Sequence, residues 1–290
     1  MKQIAENDFL SVAVRAAILA GGVILNNLGR ISKDDIGTKQ ASDFVTHVDR
    51  DSERLIIKTI KKEFPRHSFL AEESVKKFES EKKRRCEPSG SCRWIIDPLD
   101  GTTNYIHGYP MFSVSIALEY SPCTPNVVQG KKEIILGVIL DPLRDELFTA
   151  EKGKGAFLNG HPIKVSSVSE LKNSLITTGF PFRKKEFVDT YLQAFKNILL
   201  KVSDLRRAGS AALDLAHLAC GRCEGFFEIG LSPWDTAAGS LMIKEAGGIV
   251  TDFGGGEDCL ATGNIVAAIP AIHKEILKEI KKVFKGIIDR

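Results

Sequence analysis

The chain has 290 residues, of which 40 are lysine or arginine and 37 are aspartate or glutamate, and its formal net charge is +3. This near balance argues against nucleic acid or a membrane surface as the main partner. Six cysteines are too few for a disulfide framework in a chain of this length, and 43% hydrophobic residues suffice for a substantial core. The composition therefore predicts a globular protein with one large domain or two closely packed lobes.

The N-terminal apolar stretch runs from Phe9 to Leu25 and includes Ser11, Arg15 and a glycine pair. It is expected to be too short and too interrupted to span a membrane. No basic segment with a small-residue cleavage site precedes it. The stretch therefore predicts a buried N-terminal helix in a cytoplasmic protein.

After the N-terminal helix, the first half of the chain is predicted to form one more helix and then a series of strands. Apolar residues at helical spacing from Ser52 to Phe64 predict a second helix, antiparallel to the first. A short strand at Phe69 to Glu73 is followed by the charged stretch Lys76 to Cys92, which predicts an exposed loop or lid. Strand-like runs joined by turns then indicate a meander sheet. These runs are Trp94 to Ile96, Phe112 to Glu119, Ile134 to Asp141 and Glu146 to Glu151, with a hairpin over Gly153 to Gly160.

A change in composition near Val165 to Leu171 indicates a second lobe. Helices and strands alternate beyond it, which predicts a layered α/β or α+β architecture. We therefore predict a single domain over residues 1–290 with two lobes, about 1–165 and about 166–290. The predicted helices are Lys185 to Leu200, Gly209 to Ala219, Thr236 to Ala246 and Ile272 to Ile287, and the predicted strands are Leu175 to Thr178, Cys223 to Glu228, Gly248 to Asp252 and Asn264 to Ala268.

The segment from Trp94 to Asn104, WIIDPLDGTTN, is the most informative part of the sequence. Its apolar run predicts a buried strand that Pro98 stops, so that Asp97 and Asp100 converge at the carboxyl end of the strand. Gly101 lets a ligand approach the backbone closely, and the N–H groups around it favour an anion such as phosphate. The segment predicts a site for metal and phosphate together. An ordinary surface turn is the alternative for an Asp-Pro-x-Asp-Gly string.

Four carboxylates, Glu72, Asp97, Asp100 and Asp235, each lie at the end of an apolar run or beside an aromatic residue. An unpaired charge would be costly there, and hard oxygen ligands suit magnesium or manganese. Two such ions about 3.5–4 Å apart would clamp a phosphate and activate a water, without a protein nucleophile. For each acid singly, a helix cap or a surface charge is the simpler interpretation, and Asp235 precedes Thr236 as a cap would.

Two other patterns indicate different chemistry. Ser210, Asp214 and His217 would share one face of a helix, as a nucleophile, an orienting acid and a base would. Ser210 is not on a G-x-S-x-G elbow, however, and the start of a helix explains it more simply. The C-x-x-C pair at 220–223 has only two loosely spaced cysteines as further zinc ligands.

Basic residues concentrate in two stretches, one over 76–85 and one from Lys274 to Lys285. A charge run of this kind is usually a solvated surface. Binding of RNA or of another protein is the alternative for both stretches.

Two motifs carry a resemblance to a known family. The segment Trp94 to Asn104 is similar to the first signature of the inositol monophosphatases, and Trp234 to Gly239 with Glu245 to Gly248 is similar to the second. The resemblance is closest to the bacterial branch of this lithium-sensitive, magnesium-dependent phosphatase superfamily. It implies a layered αβαβα sandwich, usually dimeric, that hydrolyses myo-inositol monophosphate to inositol and phosphate. Supporting segments are Asp43 to Thr46, Thr178 to Phe182 and Arg206 to Ala212.

The resemblance also implies a set of metal ligands. Glu72, Asp97 and the carbonyl of Leu99 would hold a first magnesium ion, and Asp97, Asp100 and Asp235 would hold a second. A third, weaker ion would depend on Glu72 and waters. Manganese is a possible substitute.

Catalytic and binding roles follow from the same resemblance. Thr102, paired with Asp49, would position or deprotonate the attacking water, and Glu72 is counted with these catalytic residues. The amides of Gly101 and Thr102 would bind phosphate. The residues expected around the polyol ring are Gly209, Ser210, Ala211 and Glu228, with Asp100 and Asp235 facing the ring hydroxyls.

Departures from the family pattern bear on the substrate. Ala71 stands where the family often has glycine, and the stretches Lys76 to Cys92 and Ser121 to Lys132 look longer than in many relatives. The same core would serve fructose 1,6-bisphosphate, histidinol phosphate or a 3′-phosphoadenosine nucleotide, because ring contacts decide between them. Some bacterial relatives act in RNA metabolism, so association with RNA or RNA polymerase is the alternative from a different functional class.

Overall fold

The computed structural model describes residues 8–32, 36–40, 43–74, 91–122 and 132–287. Its elements form five layers: a helix pair, a seven-stranded sheet, a second helix pair, a five-stranded sheet and a third helix pair. The expected αβαβα sandwich is confirmed. The predicted loop or lid over Lys76 to Cys92 lies outside the described residues except for Ser91 and Cys92, and so does most of the stretch from Ser121 to Lys132.

The described part of the chain contains eight α-helices and fourteen strands. The helices are α1 (Phe9–Asn27), α2 (His47–Glu63), α3 (Thr102–Ile106), α4 (Val188–Leu199), α5 (Ala211–Ala219), α6 (Pro233–Glu245), α7 (Cys259–Thr262) and α8 (His273–Phe284). The strands are β1 (Gly37–Gln40), β2 (Asp43–Val45), β3 (Ser68–Ala71), β4 (Ser91–Asp100), β5 (Ser113–Ser121), β6 (Glu133–Asp141), β7 (Glu146–Glu151), β8 (Gly155–Leu158), β9 (His161–Ile163), β10 (Leu175–Thr178), β11 (Asp204–Arg206), β12 (Gly225–Ile229), β13 (Ile249–Thr251) and β14 (Asn264–Ala268).

The seven-stranded sheet is the predicted meander. Strands β4 to β9 pair with their chain neighbours in antiparallel fashion, and β3 adds to the edge parallel to β4. The predicted hairpin is present between β7 and β8, and β8 turns into β9 through Asn159 and Gly160, both at positive φ. A turn of this kind matches the twist of the strands it joins.

Helix α1 packs with α2 on the outer face of this sheet. Its small residues Ala13, Ala16 and Ala20 are fully buried, so the helix approaches its neighbours closely. By length and composition alone, the 19 residues of α1 would suffice to cross a membrane, contrary to the expectation drawn from its interruptions. In this fold one face of the helix, including Val12, Ala16 and Ile24, is buried, whereas Ile18 and Leu19 on the other face are exposed.

The middle layer, α5 and α6, is enclosed by the two sheets. Residues Asp235 to Ile243 of α6 are all buried, because the helix contacts sheet or helix on every side. A Cβ at Gly239 would lie 2.4 Å from Leu215 of α5, and one at Gly137 of β6 would lie 2.9 Å from the carbonyl of Ala238. These close approaches fix the N-terminus of α6, and therefore Asp235, relative to the seven-stranded sheet.

The five-stranded sheet has the order β11-β10-β12-β14-β13, with α4 and α8 on its outer face. All seven strands of the larger sheet precede residue 164, and all five of the smaller sheet follow residue 174. The middle helices follow residue 210 and contact both sheets. The division into lobes at about residue 165 stays a prediction.

Two helices begin earlier than predicted. Helix α2 starts at His47 because Thr46 caps it: the Thr46 N–H donates to Asp49 Oδ2 at 2.8 Å, and the Val48 N–H donates to Thr46 Oγ1. Helix α6 starts at Pro233, and the Ser232 N–H donates to Asp235 Oδ2 at 2.7 Å. Asp49 and Asp235 are thus third residues of their helices, in the position of a capping box.

Strand β4 was predicted to stop at Pro98, and this was wrong. The strand continues to Asp100, and its register against β5 shifts between Asp97 and Asp100. Proline has no N–H to donate, so an irregular part of the ladder accommodates it. This irregularity lies between the two carboxylates.

Candidate active site

The carboxyl ends of β3 and β4 meet at one edge of the seven-stranded sheet. The strands are parallel, Ala71 pairs with Ile96, and the Glu72 N–H donates to the Ile96 carbonyl at 3.2 Å. Glu72 and Asp97 therefore leave adjacent strands at the same level. Asp97 is 1% exposed, and its Oδ1 accepts the Leu99 N–H at 3.0 Å, which holds the carboxylate over the bend.

Asp97, Asp100 and Asp235 form a compact cluster of buried carboxylates. One oxygen from each lies within 4.8 Å of the others, and no other group of three potential metal ligands is this close in the described residues. Burial raises the pKa of Asp100 to about 6 and the pKa of Asp235 to about 7. Three buried acids with no metal are costly, whereas a divalent cation with hard oxygen preferences fits them. This is the set that the resemblance implied for the second ion.

Thr102 and Asp49 are brought together from α3 and α2. The Thr102 hydroxyl lies 2.9 Å from Asp49 Oδ1 and 3.0 Å from the Leu99 carbonyl, and it donates its one proton to either. The other Asp49 oxygen accepts the Thr46 N–H and hydroxyl. Burial raises the pKa of Asp49, and the bonds from Thr46 and Thr102 oppose the rise. The pair offers a hydroxyl with a proton acceptor directly behind it.

Gly101 joins β4 to α3 in a left-handed conformation, with φ +89°. A Cβ there would lie 2.7 Å from the Met111 carbonyl and 3.3 Å from the Gly209 carbonyl, both of them backbone atoms. Asn104 fixes the same junction, because its amide donates to the carbonyls of Met111 and Ala208. The loop before α5 is thereby held against the turn that follows Asp100.

The start of α5 binds Asp100 directly. The Ser210 hydroxyl donates to Asp100 Oδ2 at 2.5 Å and the Ala212 N–H donates to the same oxygen at 2.8 Å. The alternative in which Ser210 is a nucleophile with Asp214 and His217 is wrong, because the hydroxyl points to Asp100 and also caps α5. Burial lowers the pKa of His217 to about 4.

One pocket of about 260 Å³ unites the predicted residues. Asp49 is the exception, because it lies behind Thr102 rather than on the pocket surface. The predicted residues that line the pocket are Glu72, Asp97, Leu99, Asp100, Gly101, Thr102, Gly209, Ser210, Ala211, Glu228 and Asp235. The signature in β4 is thus completed by residues from β3, β12, α5 and α6.

A family model described as the inositol monophosphatase family matches residues 6–285. The chain belongs to the inositol monophosphatase family. The Nus factor SuhB of Escherichia coli K12 is 43% identical over 284 residues, which cover 98% of this chain and all of that protein. The extragenic suppressor protein suhB of Bartonella henselae superposes with a TM-score of 0.82 at 40% identity, with 96% and 99% of the two chains covered. The inositol monophosphatase of Anabaena gives 0.78 at 40% identity, with 95% and 96% covered.

Family and fold together support a phosphatase, and metal dependence is general for this family. The acidic cluster is the part of the chain that would hold the metal. The Leu99 carbonyl, the expected ligand of a first ion, lies 3.0 Å from the Thr102 hydroxyl, and it has both lone pairs available for an ion when that hydroxyl donates to Asp49.

The wall opposite the acidic cluster comes from the five-stranded sheet. Glu228 of β12 is buried, and burial raises its pKa well above the ordinary range. A Cβ at Gly179 would lie 2.1 Å from the Glu228 carboxylate, so the glycine leaves the space that this side chain occupies. Asp214 of α5, whose pKa burial also raises, lines the same pocket.

Two arginines of the pocket had no role in the sequence-based interpretation. Arg183 lies 3.3 Å from Asp235 Oδ2 and 3.7 Å from Glu72 Oε1, and Arg207 also lines the pocket. Both follow or belong to segments that resemble the family, Thr178 to Phe182 and Arg206 to Ala212. Their position in or next to these segments was the only indication in the sequence that the two arginines belong to the site. Nothing in the local sequence indicates which carboxylates an arginine will contact.

Other predicted features lie away from this pocket. Cys220 is half-buried and Cys223 is buried, and burial raises the pKa of both thiols, so they are protonated at neutral pH. The basic stretch of α8 borders a groove of about 670 Å³. Its lining consists of Lys274, Lys278, Lys281, Lys282 and Lys285 with Phe253, Gly254, Leu277 and Phe284.

Proposed function

We propose that this chain is a magnesium-dependent phosphomonoesterase that hydrolyses myo-inositol monophosphate to inositol and phosphate. The observation that carries the proposal is the cluster of Asp97, Asp100 and Asp235, placed in one small pocket with the Thr102–Asp49 pair. Membership of the inositol monophosphatase family supports the same reaction class.

The metal ligands would be those that the family resemblance implies: Glu72, Asp97 and the Leu99 carbonyl for one ion, and the three clustered aspartates for another. When bound, magnesium or manganese supplies Lewis-acid stabilisation of the phosphoryl oxygens and lowers the pKa of a bound water. The carboxylates of the chain would bind the ions and balance their charge. A third ion would depend on Glu72.

Thr102 and Asp49 would orient the attacking water and accept its proton. The geometry supports this role because Asp49 Oδ1 faces Thr102 while Oδ2 is held by Thr46. A water that donates to the Thr102 hydroxyl is thereby connected to a buried carboxylate that accepts the proton. The amides of Gly101 and Thr102 would bind the phosphate at the start of α3.

The polyol ring would lie between the acidic cluster and the wall formed by Glu228, with Gly209, Ser210 and Ala211 at its edge. The alternatives on the same catalytic core are fructose 1,6-bisphosphate, histidinol phosphate and a 3′-phosphoadenosine nucleotide, because contacts to the ring decide between them.

The decisive variant is Asp97→Asn, which keeps the shape of the side chain and removes a ligand charge. We expect it to abolish magnesium-dependent phosphate release while the melting temperature stays close to the wild-type value. Asp189→Asn, at an exposed acid of α4, is the matched control. Full activity of Asp97→Asn would contradict the metal assignment. Ranking the four candidate substrates by kcat/KM then identifies the alcohol.

A second candidate function is association with the transcription machinery or with RNA. It is supported by the name Nus factor SuhB of several relatives and by the lysine-lined groove of α8. Charge reversal at Lys274, Lys278 and Lys281 is expected to abolish salt-dependent retention of RNA. Retention that is unchanged in this variant, or absent from the wild type at low salt, would refute an RNA-binding role for α8.

We also propose a cytoplasmic homodimer, as the family resemblance implies. Leu192 of α4 and Leu200 directly after it are exposed apolar residues that a second copy would cover, and Leu200 is 75% exposed. Light scattering after gel filtration tests the stoichiometry.

A further inference from the structure

Arg183 brings a fixed positive charge to the edge of the acidic cluster. Its Nη1 lies 3.3 Å from Asp235 Oδ2, where it donates a hydrogen bond, and its Nη2 lies 3.7 Å from Glu72 Oε1. The guanidinium carbon is 5.0 Å from the centre of the Phe182 ring, within the range of a cation–π contact. The arginine therefore bridges Glu72, which directly follows β3, and Asp235 of α6.

The Asp235 oxygen that meets Arg183 has a second partner. Oδ2 accepts the Ser232 N–H at 2.7 Å as well as the arginine, which leaves Oδ1 for an ion. Arg183 therefore need not leave when metal binds. Arg183 nevertheless opposes the binding of a cation. The guanidinium and the metal ion would both lie next to Asp235 and Glu72, and the two positive charges would repel each other.

Burial makes this charge effective. The side chain of Arg183 is 24% exposed, and those of Glu72 and Asp235 are 10% and 6% exposed. Solvent screens such a group less than it screens a surface ion pair. Arg207, the other arginine that lines the pocket, has no ion pair with Glu72 or Asp235 among the described residues.

We propose that Arg183 is a built-in counter-cation that stabilises the metal-free site and lowers its affinity for divalent ions. The arginine balances the acids while no ion is bound, and so it sets the ion concentration at which the site loads. Arg183 is a positioning residue in this scheme, because it acts through Glu72 and Asp235. The inference rests on the proposed metal-dependent function.

The test is a calorimetric titration of metal-free protein with Mn²⁺ at pH 8. Arg183→Gln is expected to bind Mn²⁺ about tenfold more tightly than the wild type, which corresponds to about 1.4 kcal/mol. Arg183→Lys keeps the charge and is expected to stay within about threefold of the wild type. The control is Arg206→Gln, which removes an exposed arginine paired with Asp204. Equal or weaker binding by Arg183→Gln would overturn the proposal.

A second measurement separates this inference from the proposed function. In chelator at pH 8, Arg183→Gln is expected to melt several degrees below Arg206→Gln, because Glu72 and Asp235 lose their counter-charge. Equal melting of the two variants would overturn the counter-cation role. If the wild type bound no Mn²⁺, the metal-dependent function would fall, and the melting comparison would still decide whether Arg183 stabilises the acids.

Discussion

Replacement of Gly101 by alanine tests whether the backbone at the end of β4 needs a glycine. Two costs follow from the structure. The residue has φ +89°, a left-handed conformation that costs an L-residue about 1–2 kcal/mol. The new Cβ would also lie 2.7 Å from the Met111 carbonyl, and relief of overpacking costs about 1–3 kcal/mol. We expect a total destabilisation of about 2–5 kcal/mol.

Calorimetry measures this cost. An unfolding entropy of about 2.1 cal/mol/K per residue over 290 residues converts 2–5 kcal/mol into a fall in Tm of about 3–8 °C. Gly108→Ala is the matched control, since Gly108 has φ +67° just after α3 and an added Cβ there has no atom within 4 Å. It carries only the conformational cost, about 1–2 kcal/mol or roughly 2–3 °C.

The difference between the two variants isolates the close approach at Gly101. If Gly101→Ala melted at the same temperature as Gly108→Ala, the contact with Met111 would carry no cost and the reasoning would be refuted. We also expect phosphate release to fall in Gly101→Ala, because Asp100 and Thr102 flank the displaced residue. Gly108→Ala is expected to keep its activity.

Two further predictions concern proton transfer and pH. Thr102→Val removes the hydroxyl that contacts Asp49, and we expect kcat to fall about 10²–10⁴-fold. Thr102→Ser keeps a hydroxyl and is expected to retain most of the activity. Equal activity of the two variants would exclude a role for the hydroxyl. In the folded protein, burial raises the pKa of Asp100 to about 6 and the pKa of Asp235 to about 7. In the unfolded chain the pKa of an aspartate is about 3.9. Between pH 4 and 7 the folded protein therefore binds more protons than the unfolded chain. The melting temperature in chelator should therefore fall as the pH rises from 5 to 8, and it should fall more steeply in the wild type than in Asp235→Asn. The affinity for Mn²⁺ should rise over the same interval, because the carboxylates lose their protons. Identical pH profiles for the two proteins would contradict the raised pKa of Asp235.

Local patterns in the sequence identified most of the elements. Strands β7, β10 and β14 have the predicted bounds, because alternation or apolar runs between turn residues indicate strands directly. The starts of α2 and α6 were missed because Asp235 was interpreted as a cap, and because neither Asp49 nor Asp235 was identified as the third residue of a capping box. The passage of β4 through Pro98 was missed because a proline ordinarily ends a strand, whereas this one lies in an irregular part of the ladder.

For the candidate active site as well, the sequence predicted one part and the tertiary structure decided the other. The sequence by itself determined the available chemistry: the four carboxylates Glu72, Asp97, Asp100 and Asp235, the glycine turn after Asp100, and a family resemblance that added Asp49. Such features are readable because they depend on residues a few positions apart or on a recognised motif. Only the tertiary structure decided that Asp100 is bound by the start of α5 and that Arg183 bridges Glu72 and Asp235. Those contacts join segments that are distant along the chain, and the packing of α5 and α6 between the two sheets brings the segments together.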